Sequence, residues 1–369
     1  MKDGGLFWNS KKNEDGQNGS VASALSHANG TPLSASQARK KYSVVGFGLA
    51  VYSVISLAVA LVIQIIAMIV SPDIVEDVLF LNLVTPVSLY VFALPVLILL
   101  LLLLGGKCEK LERRGMGFGE LVLIFIVSFG LMYIGSFAGQ FVMGGLSAIV
   151  GYDYSNMLES MVDVDKMWIT AIFMCIVAPV GEEFVFRKLI IDRTHQYGGF
   201  VCIFFSALAF GLMHANFYQF FYAFALGLVL GYVYYKTGRI WYSVVLHAAI
   251  NFVGSVLTSY LSVGVEEMTA ALEKFDLSNT EEMVAFLGEY GFWVLAEYAF
   301  VAFVLIAMIC AVVLPIVFRK RIKLERKVRV SPRKNVLPAS FLNAGAIIML
   351  LVYSIQFVLT LVAPLMGNN

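Results

Sequence analysis

The chain has 369 residues, of which 60% are hydrophobic and 14% charged. A soluble domain is nearer half apolar and about a quarter charged, so a single soluble globule is excluded. The net charge of +1, from 26 basic and 25 acidic residues, gives no electrostatic reason to expect a nucleic-acid partner.

In chain order, residues 1–40 are rich in Gly, Ser, Asn and Ala and carry no sustained apolar run. They read as a disordered cytoplasmic tail. No secretory signal peptide is expected, because the first apolar run begins near Val44 and is too long for a signal-peptide core. From there the hydropathy pattern predicts an all-α, polytopic transmembrane helix bundle of about nine spans, at roughly 44–70, 87–104, 121–149, 168–190, 199–215, 217–235, 240–261, 292–318 and 341–365. These group into N-terminal transmembrane spans (41–164), a core segment (165–256), an extracytoplasmic amphipathic loop (257–291), and C-terminal spans with a basic loop (292–369). In the loop, Met268, Leu272, Phe275, Met283, Phe286 and Leu287 recur at near-helical spacing, which predicts one or two amphipathic helices.

Charge sets the expected orientation. With the N-terminus cytoplasmic, 24 of the 26 Lys and Arg fall on cytoplasmic segments, nine of them within 319–334. The opposite loops hold only Lys166 and Lys274 beside 14 acidic residues. The basic run reads first as a stop-transfer signal and second as an anionic-lipid contact. Cys108, Cys175, Cys202 and Cys310 lie far apart and read as packing residues. Ala223, Gly227 and Gly231 form a small-residue stripe that reads as close helix packing. Glu297 reads as an interfacial carboxylate.

An ionisable side chain inside an apolar span costs roughly 3 kcal/mol on insertion scales and marks a functional hypothesis by default. Such residues gather between 180 and 251: Glu182, Glu183 and Arg187, then His214, then His247 with Asn251. On a helix Glu183 and Arg187 are i and i+4 and can pair, while Glu182 lies about 100° around the axis and faces elsewhere. His247 and Asn251 are also i and i+4, so both present hydrogen-bonding groups on one face. Taken singly, each doublet also reads as an ion pair or hydrogen-bonded pair that fixes helix packing. Taken together, they supply a candidate general base (Glu182), a group able to orient water (His214), and a donor pair for an oxyanion (His247, Asn251). No His-Glu-x-x-His helix, Gly-x-Gly-Asp partner or Gly-x-Ser-x-Gly elbow is present.

The ordered trio Glu-Glu-x-x-x-Arg, Phe-x-x-x-His and His-x-x-x-Asn, met here as Glu182, Glu183 and Arg187, then Phe210 and His214, then His247 and Asn251, resembles the CPBP family. These are the CAAX protease and bacteriocin-processing enzymes, also called the abortive-infection family. The resemblance covers about 165–256. It implies an intramembrane endopeptidase in which Glu182 and His214 activate water, His247 and Asn251 form an oxyanion hole, and Glu183 and Arg187 support them. The implied substrate is a membrane-embedded or lipidated protein or peptide, and the implied location is the plasma membrane of a bacterium. No cofactor is required on this reading. Zinc is the alternative, since family members are commonly labelled metalloproteases, and its ligands would be Glu182, His214 and His247. The competing functional reading is a non-catalytic scaffold or bacteriocin-immunity protein of the same fold. A transporter would need paired repeats, and none is apparent.

Overall fold

The computed structural model describes residues 33–106, 108–154, 166–272, 274–320, 322, 324 and 336–366. The tail before Leu33 and most of the basic run 319–334 lie outside the described residues. Ten helices carry the description: α1 (Ala35–Val70), α2 (Val78–Leu103), α3 (Phe118–Val150), α4 (Met167–Tyr197), α5 (Gly199–Met213), α6 (Phe217–Thr237), α7 (Ile240–Leu272), α8 (Thr280–Val317), α9 (Val336–Phe341) and α10 (Ala344–Met366). Eight of them are long and apolar enough to cross a membrane. The protein is an all-α polytopic membrane bundle.

The expected fifth span differs. It forms α5, whose 15 residues reach about 22 Å, short of the roughly 30 Å hydrocarbon layer. The first span also begins earlier than its hydropathy, because Ser34 and Gln37 close a reciprocal cap: Gln37 N donates to Ser34 Oγ at 3.1 Å and Ser34 N to Gln37 Oε1 at 2.8 Å. Asp77 caps α2 by accepting from Leu79 N at 2.8 Å and Phe80 N at 3.2 Å. The Phe80 amide and the Lys166 ammonium at 3.2 Å hold the Asp77 carboxyl below its ordinary range. That cap is therefore complete near neutrality and is lost as pH falls through the lowered value. Residues 262–291 are the facing ends of α7 and α8 and the turn between them, joined where the Trp293 ring lies over Gly264 and Phe275 meets Phe286 at 5.5 Å.

Helix α6 packs on α3 and α5, α3 on α8, and α1 on α2, α9 and α10, while α4 touches α2, α5 and α7. The largest buried cluster includes Tyr42, Leu49 and Tyr52 of α1, Leu97 of α2, Phe186 of α4, Phe205 and Phe210 of α5, and Tyr353 of α10. Ile65, Leu102, Phe141, Ile309 and Ile355 point outward, as lipid-facing residues do. Lipid is as apolar as leucine, so helix association here rests on close approach and on polar pairs rather than on leaving water. The small-residue stripe serves that purpose: a Cβ at Gly227 would stand 2.9 Å from Ala207 Cα. Cys175 and Cys202 are buried, as packing residues should be, whereas Cys108 is exposed.

The tightest crossing joins α1 to α10. A Cβ on Gly345 would overlap the Ser43 carbonyl oxygen, one on Gly46 would stand 2.7 Å from Ala346 N, and Gly345 N donates to Ser43 Oγ at 3.0 Å. Gly345→Ala should therefore force the helices apart and cost about 1–3 kcal/mol. The measurement is the thermal midpoint in detergent, and an unchanged midpoint would show that the crossing is looser than described.

Candidate active site

Helix α4 carries two of the candidate carboxylates, and its backbone is not a regular α-helix around them. It widens into π-turns at Phe173–Val177 and Phe184–Ile191, on either side of Ala178–Glu183. Wide turns of this kind recur at functional sites. The first has an evident cause. Ala178 N–H bonds to Phe173 O, five residues back, and the next bond of that series would run from residue 179 to Met174 O. Residue 179 is a proline and has no N–H to give. The amide of Asn251 on α7 takes its place, donating from Nδ2 to Met174 O at 2.7 Å.

Glu183 and Arg187 are fully buried. Arg187 Nε lies 3.0 Å from Glu183 Oε2, the i,i+4 pair expected from the spacing. The contact is ionic rather than an aligned hydrogen bond. Arg187 Nη1 and Nη2 have no hydrogen-bond partner among the described residues, and the guanidinium carbon stands 4.8 Å from the centroid of the Phe210 ring. The other Glu183 oxygen, Oε1, lies 3.1 Å from His247 Nδ1. A carboxylate only accepts, so the proton on the ring belongs on Nδ1. His247 Nε2 then faces Glu182 Oε2 at 3.6 Å. One imidazole thus stands between two carboxylates, with Arg187 balancing the further one.

That pairing differs from the sequence reading at two points. Glu182 Oε2 faces His247 of α7, where the sequence reading set Glu182 to work with His214. His247 directs both ring nitrogens at carboxylates, where the resemblance implied an oxyanion donor. His214 caps the end of α5 and meets the same Phe210 ring as His247, with centroid separations of 5.3 and 5.7 Å. Phe210, spaced four residues before His214, is the common wall for Arg187, His214 and His247. At the far end of α4, Lys188 Nζ pairs with Asp192 Oδ2 at 2.5 Å, and Tyr234 OH donates to Asp192 Oδ1 at 2.6 Å, which ties α4 to α6.

Sequence reasoning gave no place to three tyrosines. Tyr52 of α1, Tyr90 of α2 and Tyr222 of α6 lie in or against the buried cluster that holds Phe186 and Phe210. An aromatic residue in an apolar span carries no mark of such a place. Glu182, His214 and His247 do not gather as a ligand set: among the described residues, no three or more His, Cys, Asp and Glu side chains are grouped so as to hold a metal ion. The zinc alternative does not fit this arrangement of donors.

A buried carboxylate, imidazole, carboxylate array inside a polytopic bundle defines a class, the membrane proteins with a glutamate and histidine site within the bilayer. Residues 164–253 match the family model described as type II CAAX prenyl endopeptidase Rce1-like. A curated relative, the putative membrane peptidase YdiL of Bacillus subtilis (strain 168), is 27% identical over 135 residues, which is 34% of this chain and 55% of that protein. The chain spans about half the length of that relative. No solved structure matches the chain. Over residues 164–253 this integral membrane protein is similar to the CAAX protease, or CPBP, family.

Proposed function

We propose that the protein is an intramembrane endopeptidase that hydrolyses a peptide bond of a membrane-associated or lipidated protein, with Glu182 as general base. The single observation that carries this reading is the Glu183–His247–Glu182 array buried between α4 and α7. A scaffold that only binds would have no use for two buried carboxylates facing one imidazole, because each charge is costly to hold in the bilayer.

Glu182 takes a proton from water as the water oxygen attacks the carbonyl carbon. It returns that proton to the amine nitrogen when the C–N bond breaks. His247, its Nδ1–H directed at Glu183, presents Nε2 as the acceptor for the proton that Glu182 takes up, and Arg187 is the counter-ion of Glu183. Asn251 has two amide hydrogens and spends one on Met174 O, which leaves the other for the oxyanion. His214, across the Phe210 ring from His247, orients the water. The similarity to that family supports a lipidated substrate, and the charge pattern supports a cytoplasmic N-terminus. No step is assigned to a metal, because the donors do not fit one.

The test is to incubate the purified protein in lipid with farnesylated CAAX peptides and with unmodified membrane peptides, and to read cleavage by mass spectrometry with and without a chelator. Site-specific cleavage that survives the chelator supports the reading. Binding without cleavage of any peptide favours the scaffold, and activity lost to the chelator and restored by zinc overturns the proposed mechanism. Asn251→Ala should lower turnover by about 100-fold to 1000-fold with KM little changed, since an oxyanion donor acts mainly in the transition state. Weaker substrate binding at normal turnover would assign Asn251 to binding instead.

A further inference from the structure

The residue before the two glutamates is Gly181, and neither helix propensity nor the proposed chemistry calls for glycine there. A glycine inside a helix costs about 1 kcal/mol relative to alanine. The neighbouring helix supplies the reason. A Cβ on Gly181 would land inside the Tyr90 ring, against Cζ, Cε1 and Cε2. The hydroxyl of the same ring donates to Ala178 O at 3.4 Å. Ala178 lies four residues before Glu182, so its carbonyl belongs to the turn that leads into the carboxylate. Tyr90 is thus seated across that turn, with its ring on Gly181 and its hydroxyl on Ala178. It lies on the wide turn Val87–Ala93 of α2, which follows Pro86, outside the 164–253 segment that matches the family model.

We propose that Tyr90 is a positioning residue for Glu182: it clamps the turn Ala178–Glu182 through Gly181 and so sets the Glu182 carboxylate against His247 Nε2. This rests on the reading of Glu182 as the base. The Glu182–His247 separation of 3.6 Å is longer than an ordinary hydrogen bond, so a small rotation of that turn would lose the contact. The N-terminal hairpin α1–α2 then becomes part of the working site rather than a flanking anchor.

The experiment needs a readout that does not depend on peptide cleavage. Dicyclohexylcarbodiimide reacts with protonated carboxyl groups in apolar surroundings: the acid O–H adds across a C=N bond of the reagent, so the residue gains the whole reagent. Labelling of Glu182 is followed by mass spectrometry in the full-length protein in lipid vesicles, with Glu297 on α8 as the internal reference. Tyr90→Phe keeps the ring and loses the bond to Ala178 O. Its Glu182 should label about fivefold faster, the size expected for one hydrogen bond, with no change at Glu297 or in thermal midpoint. On a cleaved peptide the same variant should lose about tenfold in kcat at unchanged KM.

Gly181→Ala should lower the thermal midpoint and also speed labelling. Combining it with Tyr90→Leu should restore the midpoint, because the overlap is relieved, yet leave labelling fast, because the clamp is gone. Labelling that follows the midpoint back to the wild-type rate would show that Tyr90 only packs, and would overturn the proposal. So would a Tyr90→Phe protein that matches wild type in labelling. If wild type cuts no peptide but labelling shifts as stated, the hydrolase reading fails while the clamp stands.

Discussion

Glu182→Gln is expected to lower peptide hydrolysis by at least about 100-fold and as much as about 10⁴-fold, the range for loss of a general base, while the thermal midpoint stays near that of the wild type. The asymmetry follows from the surroundings of the two glutamates. Glu182 retains 12% side-chain exposure and its partner is an imidazole at 3.6 Å, whereas Glu183 has none and faces Arg187 at 3.0 Å and His247 at 3.1 Å. Glutamine has nearly the size of glutamate and its amide N–H can donate to His247 Nε2, so the fold has little to lose. It cannot take a proton from water. Turnover is measured by mass spectrometry on whichever peptide the wild type cuts, and folding by the melting curve of the same preparation. A Glu182→Gln protein with wild-type turnover would remove Glu182 from the mechanism. Loss of turnover accompanied by an equal loss of folded protein would mean that the residue is structural.

Much of this site is legible in the sequence, and the part that is not has a physical explanation. Spacing along one helix is a local property, so the Glu183–Arg187 pair followed from four residues of separation. The contact of His247 with both glutamates crosses 64 residues for the Glu183 bond. It depends on how α7 is rotated against α4, and no periodicity reports that rotation. The bond from Asn251 to Met174 O needed the wide turn of α4. Pro179 is its visible trace in the sequence, but a proline alone does not say which carbonyl is freed or which helix answers it. Tyr90 was invisible because tyrosine is unremarkable in an apolar span, although Gly181 was an unexplained residue in the most informative motif of the chain. In the fold, hydropathy located the spans but misjudged the early start of α1, which a polar cap sets, and the length of α5. Helix α5 is buried through Phe205, Ala207 and Phe210 between neighbours, and protein rather than lipid supplies its apolar surroundings.

Glu183→Gln should cost about 3–5 kcal/mol of stability, the usual effect of breaking a buried ion pair from one side. Arg187 has no exposure, and its Nη1 and Nη2 have no hydrogen-bond partner among the described residues. The Phe210 face is a weaker counterpart than a carboxylate. Removing the Glu183 charge leaves a cation buried with that ring and the more distant Glu182. The chain can then rotate α4 to expose the arginine or draw Glu182 toward it, and either response takes Glu182 from His247. Turnover should therefore fall together with stability, in contrast to Glu182→Gln. The double variant Glu183→Gln, Arg187→Met separates the two effects. Replacing the cation with an apolar side chain of similar length should recover most of the lost stability, because a buried pair contributes little net energy over a packed apolar pair. It should not recover turnover, since His247 Nδ1 would still lack the carboxylate that fixes its proton. Thermal midpoints and turnover of the wild type, the single variant and the double variant decide this. A double variant that regains both would reduce Glu183 to a counter-ion for Arg187, and one that regains neither would place the stabilising interaction in the Glu183–His247 bond rather than in the ion pair.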